Sequence, residues 1–290
     1  MAKSSVVTVM NMKGGVGKTT ITGQLSALIA KTPSFKSIKK VLVIDFDPQF
    51  NLSQMLVEPK RYFDLMKEHK NVEHILTDLV KPAIPLELPC PSSDVPPMPS
   101  DIAVNVFEDK GRKLDIVCAN LELMHLALGT GAESLTHMSN RFSTFIVQAK
   151  KDYDLILIDC HPCGSLFTKC ALENSDHILI PITGHPFTLR GVKLLQEFIS
   201  AIAFQNPKKH LLFNNVSGDT ATLRAEILKD RDFKDCDIST ALPKNDLYRS
   251  LNGGKGYIWD TESSSSQYQA AFLSLTNIAN ELITKVASQE

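Results

Sequence analysis

The residues best placed to do chemistry stand near the start of the chain, in the run Lys13-Gly14-Gly15-Val16-Gly17-Lys18-Thr19-Thr20. Glycines at 14, 15 and 17 let backbone N–H groups converge on an anion with no Cβ in the way. Lys18 can reach β- and γ-phosphates, and the Thr19 hydroxyl can hold Mg²⁺. The run follows the apolar, β-branched Val6-Val-Thr-Val9 and leads into a helix-like segment from Ile21 to Ala30. Strand, Gly-rich turn and helix is the context a phosphate-binding loop requires, because the helix points its positive end at the same anion. The loop predicts a bound nucleoside triphosphate.

The strict pattern G-x-x-x-x-G-K-[ST] fails here, since its first glycine would fall on Met12. A second lysine, Lys13, opens the loop instead. This resembles the deviant Walker A motif of the ParA/MinD family of P-loop ATPases. The resemblance implies ATP hydrolysis by a dimer, with Lys18 acting in cis and Lys13 reaching the phosphates held by the other subunit. By residue type, Lys13 could equally be a solvated charge.

Four further stretches carry the resemblance. Asp45-Phe-Asp47-Pro-Gln-Phe-Asn51 is similar to the family motif D-x-D-P-Q-x-N, which implies that Asp45 lies near Mg²⁺ and that Asp47 orients the attacking water. Tyr153-Asp-Leu-Ile-Leu-Ile-Asp159-Cys-His-Pro162 resembles the Walker B strand and its switch loop. Asp159 would then hold a metal-bound water and Pro162 would shape the switch. The family has a small residue or proline where His161 stands, and His161 receives no catalytic role. Leu211-Leu-Phe-Asn214 and Ala241-Leu-Pro243-Lys-Asn are similar to segments that contact the adenine base. Asparagine at a strand end is also a common turn residue. The expected site is therefore Lys13, Lys18 and Asp47 for catalysis, with Thr19, Asp45 and Asp159 for Mg²⁺. Lys13, Gly14, Gly15, Val16, Gly17, Lys18, Thr19, Thr20, Asn214 and Pro243 would bind ATP.

Positioning such a site calls for alternating strands and helices. Apolar runs at Val41–Asp45, Lys113–Val117, Leu155–Asp159, His177–Ile182 and Leu211–Asn214 read as strands buried on both faces. Helical patterns fall at Glu133–Lys150, Leu166–Asn174, Leu189–Phe204, Thr220–Asp230 and Gln267–Val286. The fold expected is one doubly wound α/β domain over residues 1–290, with a mainly parallel sheet covered by helices on both faces. The stretch from Lys81 to Lys113 holds Pro82, Pro85, Pro89, Pro91, Pro96, Pro97 and Pro99, too many for a regular element. It is expected to be a surface insertion.

With 290 residues and a net charge of −1, the chain as a whole is no strongly basic nucleic-acid binder. No apolar run is long enough to span a bilayer, and the first residues lack a signal peptide's apolar region. A cytoplasmic location is expected, with the six cysteines as reduced thiols. Cys160-His-Pro-Cys163 superficially resembles a redox pair, but it follows a nucleotide-site strand. Because the chain opens directly on its first strand, it is not expected to carry the helix-turn-helix extension of longer ParA proteins.

The resemblance implies a ParA-type partition ATPase that binds DNA non-specifically as an ATP dimer, sits on the nucleoid and is released by a ParB-like adaptor. Unstimulated turnover is expected to be slow, since one aspartate activates water poorly. Between Pro207 and Gly256 stand nine basic and seven acidic residues, a net of +2 that a solvated surface would also show. Lys244 and Arg249, beside the expected base pocket, are the foremost candidates to face DNA. Two other readings remain. A MinD-like membrane ATPase would need a basic amphipathic C-terminus, and the tail offers only Lys285. A metallochaperone or iron-protein relative would use Cys160 and Cys163.

Overall fold

A computed structural model describes residues 4–81, 87–129, 131–185, 188–203, 205–260 and 265–288. Its strands are β1 (Ser5–Val9), β2 (Lys40–Phe46), β3 (Val104–Asp109), β4 (Arg112–Val117), β5 (Leu155–Cys160), β6 (His177–Ile182) and β7 (Lys208–Phe213). They form one sheet in the order β3-β4-β2-β5-β1-β6-β7. Every neighbouring pair is parallel except β3 with β4. The expected doubly wound α/β fold is the one observed.

The helices are α1 (Lys18–Lys31), α2 (Asn51–Leu56), α3 (Pro59–Lys67), α4 (Val72–Thr77), α5 (Pro99–Ile102), α6 (Glu122–Leu128), α7 (Ala132–Asp152), α8 (Leu166–Glu173), α9 (Thr188–Ile202), α10 (Ala221–Leu228) and α11 (Ser266–Ala287). Strand side chains alternate between two cores. Leu42, Ile44, Phe46, Ile156 and Ile158 enter a core with Met138, Phe142 and Phe145 of α7 and Phe167 of α8. Val41, Val43, Leu155 and Leu157 enter the opposite core with Leu25 and Leu28 of α1 and Leu275, Ile278 and Leu282 of α11. Both faces of the central strands are dry, which is why their sequences are unbroken apolar runs.

The six expected strands and six expected helices all form, with ends shifted by a few residues; Phe204 and the last two residues lie outside those described. The buried residues of α11, among them Leu275, Ile278 and Leu282, pack on the core, while Leu273 stays exposed. Among the described residues no helix is long and apolar enough to cross one.

The stretch from Lys81 to Lys113 differs from expectation. Pro82 and Pro85 lie outside the described residues. Past the proline cluster, Pro99 occupies the first turn of α5, where a missing N–H costs nothing. The proline-free residues that follow make β3, which turns back into β4 through Lys110 and Gly111 at φ 49° and 75°. Positive φ at both turn positions suits the twist of a two-residue hairpin. Among the described residues the irregular part is therefore the stretch from Leu88 to Met98, before α5. It is pinned down: Leu88, Pro89, Pro91 and Pro96 are buried. The fully buried Arg141 donates to the carbonyls of Ser93 and Val95 at 2.7 Å each and of Ile75 at 2.7 Å. The short helices α2, α3, α4 and α6 had no counterpart in the sequence reading.

Candidate active site

The carboxyl ends of the central strands and the loops beyond them enclose a cavity of about 400 Å³, the place where doubly wound sheets bind ligands. One wall is the glycine loop. Asn11 opens it, donating to the Pro181 carbonyl at 2.8 Å and accepting from Lys13 N at 2.9 Å. Gly15 and Gly17 take φ of 73° and 88°, open to glycine at little cost. A Cβ on Gly14 or Gly15 would meet nothing within 4 Å, whereas one on Gly17 would strike the Asn214 amide. Gly17 caps α1, whose first turn carries no acidic residue, so its free N–H groups face the cavity side of the loop uncontested.

Lys18 is buried, and its Nζ reaches back to the Lys13 carbonyl at 3.3 Å. Burial pulls its pKa down, opposed by the charge of Asp159. An arriving phosphate supplies a counter-charge at the right place. Lys13 itself is exposed and its side chain does not line the cavity.

Register pairing of β2 with β5 sets Asp45 directly beside Asp159 at the strand ends. Asp159 is fully buried; Thr22 Oγ1 donates to its Oδ1 at 3.3 Å, and the Thr19 hydroxyl lies close by. Burial, reinforced by the neighbouring Asp45, pushes its pKa well above the carboxylate range. Its Oδ2 is buried and has no partner among the described residues. An orphaned carboxylate oxygen next to a threonine hydroxyl fits a hard divalent cation such as Mg²⁺. Asp45 is placed differently. Its Oδ1 accepts from Asp47 N at 3.1 Å, and its Oδ2 accepts from Ser53 N at 2.8 Å and Ser53 Oγ at 2.7 Å. Burial lifts its pKa to about 7. Both oxygens are spent on the loop that carries Asp47, and Asp45 does not line the cavity.

Asp47 does line it, across from Lys18 and Thr19. Gln49 N donates to its Oδ1 at 2.9 Å. From the β5 side, His161 and Pro162 join the same wall, with His161 Nε2 3.9 Å from Asp47 Oδ1. Cys163 N donates to His161 Nδ1 at 3.3 Å, which leaves the proton on Nε2, toward the carboxylate. The far wall is Asn214, Asn215, Leu242, Pro243, Asn245, Tyr248 and Arg249.

A family model described as an AAA domain matches residues 4–212. The chain is 31% identical over 217 residues to an uncharacterized protein of Methanocaldococcus jannaschii, covering 73% of each. It is 28% identical to the sporulation initiation inhibitor protein Soj of Bacillus subtilis, covering 71% of this chain and 67% of Soj. The structure of a plasmid partition protein from Borrelia burgdorferi bound to AMPPNP superposes with a TM-score of 0.71 at 21% identity, covering 98% of this chain and 100% of that one. The pNOB8 ParA structure bound to nonspecific DNA gives 0.64 at 21% identity, covering 99% and 100%. The chain belongs to the ParA/Soj-type partition ATPases.

Within this ParA/Soj-type chain, the structure brings most of the expected residues together. Gly14, Gly15, Gly17, Lys18, Thr19, Thr20, Asp47, Asn214 and Pro243 share one cavity. Val16 is buried beneath the loop and contributes its carbonyl, which accepts from Asn214 Nδ2 at 2.7 Å. Asn214 is thus a strut for the phosphate loop as well as a lining residue. Lys244 is exposed outside the cavity, while Arg249 lines it with a side chain 69% exposed. The site also takes in His161, which the sequence reading left without a role, and Ser53 and Tyr248, which it did not assign. His161 stood at an atypical position of the motif, and Ser53 and Tyr248 carry no local signal, since only the fold shows what they hold. Cys160, at the end of β5, is buried with its thiol pushed up to about 12 by desolvation, and Cys163 is exposed. A buried, protonated thiol is a poor redox or metal partner.

Proposed function

We propose that this partition ATPase dimerises on ATP, binds DNA without sequence preference as that dimer, and positions plasmid or chromosome DNA on the nucleoid. A ParB-like adaptor releases it by stimulating hydrolysis. The observation that carries the reading is one cavity in which Lys18 and the glycine loop face Asp47, with the cationic Lys13 left outside and exposed.

In this reading the loop amides and Lys18 hold the phosphates, and Lys13 serves the partner subunit. Thr19 and Asp159 would hold Mg²⁺, with Asp45 behind them, where the ion would neutralise charge developing on the phosphates. Asp47 accepts the hydrogen bond that orients water, and its loop is fixed by Asp45 and Ser53. His161 steadies Asp47 from the β5 side. Catalysis of this kind is positioning and charge neutralisation. One carboxylate offers little push on water, which supports slow turnover until a partner arrives.

The lining of Pro243 and Arg249 connects base-pocket occupancy with the surface that carries Lys244. Non-specific DNA bound by pNOB8 ParA, a protein of the same fold, supports an equivalent partner here. The test is DNA binding of the purified chain with ATP, with ADP and without nucleotide, over a salt series. Binding is expected with ATP only and should weaken steeply with salt. Equal binding with ADP, or salt-insensitive binding, would overturn the reading.

A further inference from the structure

The proline-rich segment before α5 lies along the amino-terminal half of α7 and is held there by side chains of successive turns. Ser134 Oγ donates to the Leu88 carbonyl at 3.0 Å. Arg141 grips the carbonyls on either side of Asp94, those of Ser93 and Val95. Asn140 Nδ2 donates to Asp94 Oδ2 at 3.1 Å, and His137 Nδ1 pairs with Asp94 Oδ1 at 2.7 Å.

Those contacts bring Cys90 over the helix at Glu133 and His137, which are four residues apart and so share a face. One donor atom from each of the three, a thiol sulfur, a carboxylate oxygen and a ring nitrogen, lies within 4.8 Å of the others. A carboxylate can only accept, so His137 donates from Nδ1 to Asp94 and presents the Nε2 lone pair. A histidine oriented by a carboxylate behind it is the arrangement of metal-binding imidazoles. Sulfur, imidazole and carboxylate together suit zinc, with bonds of roughly 2.0–2.3 Å that set donors about 3.5 Å apart. The donors here lie within 4.8 Å of one another, so binding would draw them closer by side-chain rotation. Cys90 and Glu133 are exposed and His137 half-buried, which leaves room for a water as fourth ligand. None of the three lines the nucleotide cavity.

We propose that Cys90, Glu133 and His137 bind a zinc ion, with Asp94 orienting His137, and that the ion clips the proline-rich segment to α7. The proposal stands apart from nucleotide chemistry. A bare polar cluster would share the exposure; the built Asp94–His137 pair and the doubly anchored Asp94 backbone are what favour a ligand set.

The test uses the full chain, stripped with a chelator and kept reduced. Zinc is titrated in competition with a chromophoric chelator, and cobalt is added separately as a spectroscopic stand-in. One equivalent of zinc should bind, and cobalt should give a thiolate-to-metal charge-transfer band. Cys90→Ser should remove the band, and His137→Ala should abolish stoichiometric zinc uptake. Asp94→Ala should weaken zinc by about 10- to 100-fold while keeping the band, and Cys163→Ser should change neither. Cys90 is exposed, so Cys90→Ser keeps the test valid even if another variant misfolds. No zinc uptake by the wild type, uptake that survives Cys90→Ser and His137→Ala, or a band that follows Cys163 would each overturn the proposal.

Discussion

At the scale of single residues, the proposed function divides the work between Lys18 and Asp47. Lys18 sits in the glycine loop, so Lys18→Ala should weaken nucleotide binding by roughly 10- to 100-fold, the worth of a charged hydrogen bond. Asp47 touches neither the loop nor Lys18 by any hydrogen bond among the described residues. Asp47→Ala should therefore bind ATP normally while hydrolysis falls about 100-fold, with His161→Ala milder in the same sense. Equilibrium binding and single-turnover hydrolysis, measured on the same preparations, separate the two roles; normal turnover by Asp47→Ala would remove it from the mechanism. That these residues share one site was legible because glycine, lysine and paired acids have few reasons to recur at such spacings. The use of Asp45 as an anchor for Ser53 and for the Asp47 amide was not, because a hydrogen bond between residues eight positions apart leaves no trace in spacing.

At the scale of elements, long buried strands and long amphipathic helices were readable, since each carries many periods of its pattern. The helices α2 and α4, six residues each, are too short for a period to show. The β3–β4 hairpin was hidden by prolines that end just before it. Neighbouring strands also carry a titration the sequence did not announce. His177 of β6 and His210 of β7 face each other at 2.9 Å. Burial lowers their pKa values from 6.5 to about 4 and about 3. A histidine depressed in the fold stabilises it above the unfolded pKa, and that stability is lost as pH falls toward the folded value. Denaturant melts should show stability declining from pH about 6.5 down to about 4. His210→Phe should shrink that decline, and an unchanged decline would clear the pair of responsibility.

At the scale of the whole molecule, the two faces of the sheet have different duties. The face with α1 and α11 backs the phosphate loop, and the face with α7 and α8 carries the proline-rich segment. In the proposed function, dimerisation on ATP gives Lys13, which lies outside its own cavity, a place in the partner subunit. Lys13→Ala should leave nucleotide binding by the monomer within about two-fold, less than a surface ion pair is worth. It should also reduce the ATP-dependent dimer measured by sedimentation; a full dimer would return Lys13 to the role of a solvated charge. The glycine loop itself is braced before any ligand arrives: Asn11 holds its start to β6, Asn214 holds Val16, and Gln24 Nε2 ties α1 to the Tyr248 carbonyl at 3.1 Å. A loop so fixed has little conformational entropy left to lose when phosphates enter. Part of the affinity for nucleotide is thus preorganisation, stored in amides of which two, Asn11 and Gln24, line no part of the cavity.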